Sequence, residues 1–154
     1  MSEAAQTPAT FQIEKVYVKD LSLEIPHSPQ IFTEQSQPQI DVQIESGESR
    51  FQQDYYEVTL SVTVTARVGE RILFLAEAVQ AGIFALRNIP ESDLGPLLGI
   101  ACPTVLFPYA RETISDLVTR GGFPPLLLSP ISFEQLYLQR LQQQGGAKPQ
   151  PAAL

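Results

Sequence analysis

Cysteine and histidine are almost missing from this chain, with one residue of each in 154. A single cysteine excludes an internal disulfide and a zinc knuckle. Cys102 reads as a small buried hydrophobe. A Ser–His–Asp or Cys–His site would have to use His27, which stands in Pro26-His27-Ser28-Pro29, a turn framed by prolines. No G-x-S-x-G elbow accompanies it, and nothing in the sequence brings Cys102 towards it. The glycines are scattered, so the phosphate-cradling G-x-x-x-x-G-K-S/T loop is absent as well. Acids a few residues apart, such as Asp20/Glu24 and Glu112/Asp116, lack the histidine or cysteine neighbours of a metal site. Catalysis, a metal and a cofactor are therefore not expected. A small hydrolase working through His27 is the weakest reading of the chain.

Long apolar runs are missing too. None approaches the ~20 residues of a membrane span. The first ten residues carry neither a basic cluster nor a hydrophobic stretch, so no secretory signal is read and a cytoplasmic location is expected. Basic residues are scarce, 10 against 17 acids. The imbalance is uneven: residues 1–84 hold twelve acids and five bases, a net −7, whereas residues 85–154 hold five of each. With no basic patch, a nucleic-acid partner is not expected. An acidic half suits either a basic partner bound in a salt-sensitive way or plain solubility.

A chain of this length makes one domain that buries about 70% of its extended surface. Residues 1–9 and 145–154 are rich in small and polar residues and proline, and read as disordered tails. Between them the hydrophobic period changes once. From Glu57 to Val68 every even position is apolar and every odd one polar, the pattern of a strand with one face buried. Gly69-Glu70 then turns into Arg71–Ile83, which predicts a hairpin. Phe11–Ile25 and the alternation Ile40, Val42, Ile44 add two strands, joined by a crossover at Pro26–Pro29. Four such strands make an antiparallel sheet.

The second half has helical period. Ser92 or Asp93 suits the cap of a short helix through Leu98. Cys102-Pro103-Thr104-Val105-Leu106-Phe107-Pro108-Tyr109-Ala110-Arg111-Glu112 begins a long one, with two prolines five residues apart. Pro103 suits a helix start. Pro108 is interior, a position that costs roughly 3 kcal/mol unless a bend or a docking surface compensates. Leu106, Ala110, Ile114 and Leu117 form its apolar stripe, and Arg111, Glu112, Ser115, Asp116 and Thr119 a polar one. Gly121-Gly122 supplies the left-handed stop. Ser132 and Gln135 have capping-box spacing, so a last helix runs from about Phe133 to Gln144. Strands precede long helices, so the class is α+β.

Two surfaces stand out. By period two, Asp20, Ser22 and Glu24 share one strand face, and Leu73, Leu75 and Glu77 share another. If these faces coincide, an acidic platform results, with Leu75 as an apolar spot. The second surface is Phe123-Pro124-Pro125-Leu126-Leu127-Leu128-Ser129-Pro130, a connector so apolar that it must be buried or bind something.

The residues from Cys102 to Glu112 resemble the long helix of the SecB family of bacterial export chaperones. Phe11-Gln12-Ile13, Tyr17 with Lys19-Asp20, Gln80 with Gly82-Ile83-Phe84, Arg120-Gly121 with Phe123-Pro124, and Leu141-Gln142-Gln143-Gln144 extend the resemblance over residues 10–144. It implies an ATP-independent homotetrameric chaperone, a dimer of dimers, that holds precursor proteins unfolded for the motor SecA. Asp20, Glu24, Leu75 and Glu77 match the family's SecA-docking positions. Phe74, Phe123, Leu126, Leu127, Phe133 and Tyr137 become candidates for the client groove. Arg111, Glu112, Ser115 and Asp116 become candidates for the subunit interface. Ser36 departs from the pattern, because many SecB proteins have a groove tryptophan there. A SecB-like chaperone dedicated to an antitoxin and a non-enzymatic adaptor are the alternatives.

Overall fold

The computed structural model describes residues 7–146, so residues 1–6 and 147–154 of the two expected tails lie outside the described residues. Four strands form one antiparallel sheet: β1 (Thr10–Glu24), β2 (Gln39–Gln52), β3 (Tyr55–Val68) and β4 (Arg71–Arg87). The order across the sheet is β1-β4-β3-β2, which leaves β1 and β2 as opposite edges. Two tight turns build this order. Asp54 and Gly69 take positive φ (68° and 60°) in the β2–β3 and β3–β4 connections. Asparagine, aspartate and glycine tolerate that region because they clash least there. The connection from β1 to β2 must then cross the end of the sheet. It carries a 3₁₀ turn at Gln30–Thr33 and sinks Ile31 into the core.

The alternation in β3 has the expected consequence. Val58, Leu60, Val62, Val64 and Ala66 are fully buried on one face, joined by Phe74, Ala76, Ala78 and Phe84 of β4. Helix α2 (Cys102–Arg120) covers that face, preceded by α1 (Glu91–Pro96), while α3 (Phe133–Gly146) rests on the segment that joins α1 to α2. The apolar stripe of α2 is buried as its spacing requires, with Leu106, Ala110 and Ile114 lying flat on the sheet and Leu117 at its end. Gly121 stays right-handed and Gly122 takes φ 88°, so the left-handed stop falls on the second glycine. Ser132 caps α3 by accepting the Gln135 backbone N–H at 3.2 Å.

The structure corrects three details. Pro90 precedes α1 without a side-chain cap, so neither Ser92 nor Asp93 plays that part. Pro103 does not open a free-standing helix, because a π-helical segment (Leu97–Ala101) welds α1 to α2 into one run from Glu91 to Arg120. Pro103 is compatible with the π turn. Pro103 has no N–H for the Gly99 carbonyl, and the Cys102 N–H reaches Leu97 O instead. The last helix also continues through Gly146, two residues into the expected tail. The welded run is long and apolar enough to cross a membrane by length and composition, unlike anything read from the sequence. Here its apolar side lies against the sheet, as in the core helix of a globular domain.

Candidate functional site

The face of the sheet turned away from the helices carries the acids. Residues directly opposite one another in an antiparallel pair point to the same side. The register gives three rows across all four strands: Asp20–Val79–Ser61–Glu45, Ser22–Glu77–Thr63–Gln43 and Glu24–Leu75–Thr65–Asp41. The structure thus brings Asp20, Glu24, Leu75 and Glu77 together on one open surface. It adds Asp41 and Glu45, which sequence reasoning missed. The alternation of β2 already set these two on one side of their strand. That this side joins the acidic platform depends on β2 pairing with β3. Asp41 is partly countered by Arg67, whose Nε lies 3.7 Å from its Oδ2.

At the far end of the same face, Glu57 is neutralised from within. Lys19 Nζ donates to Glu57 Oε1 at 2.7 Å, and the Tyr17 hydroxyl donates to Oε2. The Lys19 bond, followed by that of Tyr17, holds the Glu57 carboxyl below the ordinary carboxylate range. Burial and then the neighbouring Glu57 push the Tyr17 phenol up to about 12. The open acids therefore cluster around β1, the β4 segment at Leu75–Glu77 and β2, away from this trio.

A groove runs along the helix side of the sheet at the β2 edge. One stretch, about 530 Å³, is lined by Ile40, Val42 and Ile44 of β2 and by the connector from Leu126 to Ile131. The other, about 440 Å³, has Ile44, Glu45 and Ser46 on one side and Gly99, Phe133, Tyr137 and Arg140 on the other. Ile44 and Leu136 belong to both, so the two stretches adjoin along the β2 edge and are taken together as the channel. Leu127 is 77% exposed beside Leu128, which is buried, so the triple leucine splits between groove rim and core.

Of the six groove candidates, Leu126, Leu127, Phe133 and Tyr137 line this channel. Phe74 and Phe123 do not. Phe74 is only 3% exposed and stacks on Phe123 (centroids 4.8 Å apart), which in turn meets Phe32 of the crossover at 5.3 Å. These rings close the end of the core. Ser36 is exposed nearby in sequence, and its N–H donates to Glu34 Oε1 at 3.1 Å. The missed wall residues Ile40, Val42 and Ile44 were legible as a strand face. Their exposure follows from β2 being an edge that α2 does not reach.

A third uncovered region lies at the other edge. Phe11, Ile13, Val18 and Leu21 of β1 point to the helix side yet remain exposed, and Tyr109 of α2 is 52% exposed next to them. A hollow lined by Val16, Val18, Pro108, Tyr109 and Glu112 separates strand from helix. Gln80, buried at its base, donates to the Tyr17 carbonyl (3.2 Å) and accepts from Thr113 Oγ1 (3.0 Å), so this polar floor is satisfied. Of the interface candidates, Glu112 borders the hollow. Arg111 lies over the Phe107 ring at 5.5 Å, Asp116 pairs with Arg120 at 3.0 Å, and the Ser115 carbonyl takes the Thr119 hydroxyl.

Chemistry finds little to work with. Among the described residues no group of three or more His, Cys, Asp or Glu is placed to hold a metal. His27 is exposed in the crossover, whereas Cys102 is fully buried and burial pushes its thiol up to about 12. What the fold presents is an open acidic face on one side of the sheet and an apolar groove at its β2 edge.

Comparison with known proteins places that anatomy. The family described as SecB, preprotein translocase subunit SecB, matches residues 3–144. The protein-export protein SecB of Chromobacterium violaceum is 56% identical over 147 residues, spanning 96% of this chain and 98% of the relative. That of Neisseria meningitidis is 55% identical over 141 residues, spanning 91% and 95%. The chain belongs to the SecB family, and with it comes a chaperone role in protein export. Among solved structures, the SecB-like chaperone of Mycobacterium tuberculosis, in complex with a peptide from the HigA1 antitoxin, shares the fold. It has a TM-score of 0.66 at 20% identity and covers 79% of this chain and 90% of its own.

Proposed function

We propose that this protein holds unfolded precursor chains in the β2-edge groove without nucleotide, and yields them to the SecA motor docked on the acidic sheet face. The observation that carries this reading is the composition of the groove. One wall, Ile40–Val42–Ile44, is also the outer strand of the sheet, so apolar side chains and unpaired backbone N–H and C=O groups lie side by side. An extended client can add to such an edge through its main chain while its apolar residues fill the channel, which rewards any unfolded segment irrespective of sequence. Catalysis has no part in this mechanism.

The acidic face supports the second half. Asp20, Glu24, Glu77 and Asp41 around Leu75 suit a basic segment with an apolar anchor, on the side of the sheet opposite Ile40, Val42 and Ile44, while Glu45 borders both this face and the groove at the β2 edge. Client and motor can then be bound together. Assembly into a dimer of dimers would cover the apolar flank of β1 and Tyr109, and would bring several grooves onto one particle. Avidity from several weak grooves on one long client can reach about 10²–10⁴-fold. Action before export places the working protein in the cytoplasm.

The test is the aggregation of a slowly refolding protein diluted from denaturant, with this protein present and no nucleotide. Suppression near one tetramer per client is expected. No suppression across several unrelated clients would overturn a general holding role and leave a chaperone dedicated to one partner, with Ser36 the first residue to restore to tryptophan.

A further inference from the structure

The helical run against which α3 rests is bare at two points. Gly95 of α1 and Gly99 of the π segment both lie beneath Tyr137. A Cβ added at Gly99 would meet Tyr137 Cδ2 at 2.5 Å, Cε2 at 2.8 Å and an Arg140 terminal nitrogen at 3.0 Å. One added at Gly95 would meet the Tyr137 hydroxyl at 2.8 Å. The glycines with positive φ are Gly69 and Gly122, so neither Gly95 nor Gly99 is needed for backbone freedom. Both sit in helical backbone, where glycine costs about 1 kcal/mol relative to alanine. What these positions supply is room for an aromatic ring.

The π turn enlarges that room. With Pro103 unable to donate to Gly99, the backbone is wider here than in an ordinary α-helix. Helix α3 packs mainly on this segment, and the leucines on its outer side, Leu138 and Leu141, are exposed. Its position rests on Phe133, which is buried against Phe107 with centroids 5.8 Å apart, and on the ring of Tyr137 over Gly99, where no side chain fits. Gly99 and Tyr137 also line the groove opposite Ile44, Glu45 and Ser46.

We infer that Gly99 is the seat of α3, and that the depth to which Tyr137 settles on it sets the width of the channel and hence the size of client side chain it admits. This rests on the groove being the client site. Gly99 acts through Tyr137 and is a positioning residue. Any side chain at 99 should lift the ring, free α3 and widen the channel.

The experiment compares the full chain with its Gly99→Ala variant in two measurements. Amide hydrogen exchange without client should quicken about tenfold or more along α3 while the β3 and β4 amides stay slow, since overpacking acts locally. The sign is diagnostic, because glycine to alanine in an unobstructed helix slows opening. Extended peptides with a central alanine, leucine or tryptophan should shift in rank towards tryptophan. Adding Tyr137→Leu, which removes the crowded ring, should recover part of the α3 protection. Unchanged or slower α3 exchange in Gly99→Ala would overturn the seat. Faster α3 exchange with unaltered binding of all three peptides would overturn the groove reading and this role with it. Should Gly99→Ala not fold, Tyr137→Leu alone should loosen α3 by leaving the seat empty, and unchanged exchange there would equally overturn the inference.

Discussion

Gly82 of β4 lies beneath Leu106 of α2, and replacing it with alanine tests how rigidly that contact is set. A Cβ there would lie 2.9 Å from Phe84 Cε2, 3.0 Å from Leu106 Cδ2 and 3.2 Å from the Lys15 carbonyl oxygen. The first two are side-chain atoms of fully buried residues, and the third is backbone of the neighbouring strand, so no single movement relieves all three. Taken alone, glycine to alanine in a strand should stabilise by about 0.5–1 kcal/mol through the unfolded chain. Overpacking a tight core costs about 1–3 kcal/mol, so crowding wins and a net loss of roughly 1–2 kcal/mol is expected. For a domain of this size each kcal/mol moves Tm by about 2–4 °C, which predicts a fall of roughly 2–8 °C. Thermal unfolding followed at one fixed protein concentration reads this cleanly, because assembly makes Tm concentration-dependent. Leu106→Val should partly offset Gly82→Ala, so that the double variant loses less than the two single losses together. A Tm equal to or above that of the parent would refute the close approach of α2 to β4.

Charge reversal of Asp20, Glu24 and Glu77 together should weaken SecA docking and flatten its salt dependence while sparing client binding, and Asp41→Lys should act in the same direction. Normal motor binding by the triple variant would sink the acidic-face reading. Because Glu57 is held below its ordinary 4.5, its pairing contributes stability above that pH and loses it as the pH falls through the depressed value. Urea midpoints of Glu57→Gln should accordingly fall less than the parent's on acidification. Tyr17 is shifted the other way, from 10.0 to about 12, so its contribution is complete below pH 10 and lost as pH rises towards 12. Tyr17→Phe should remove that alkaline loss, and absorbance titration should lose a tyrosine step near pH 12. The Cys102 thiol, raised to about 12 by burial, should resist a thiol-specific reagent at pH 8 until the protein is unfolded. Fast labelling of the native protein would show the core beneath α2 to be open.

The element types were legible because period and punctuation agreed. Alternation in β3, a glycine turn, the stripe Leu106–Ala110–Ile114–Leu117 and paired glycines after Arg120 each have one local solution. The welded run from Glu91 to Arg120 was not legible. Pro103 has the same local preference at a helix start as at a π turn, and only the packing of the flanking segments on the sheet decides between them. The acidic platform was half legible. Asp20 with Glu24, and Leu75 with Glu77, share strand faces by parity alone. Their union, and the addition of Asp41 and Glu45, waits on register.

Phe74 shows the limit most plainly. Nothing in its neighbourhood along the chain distinguishes a ring in the core from a ring in a groove wall, and it proves to be core. Sequence by itself determined the strands, the helices, the α+β class and the family, because each of these rests on local pattern or residue identity. Tertiary structure decided which apolar residues stay uncovered. Strand order made β2 an edge, α2 stopped short of it, and the Ile40–Val42–Ile44 face that would otherwise be core became the wall of a groove.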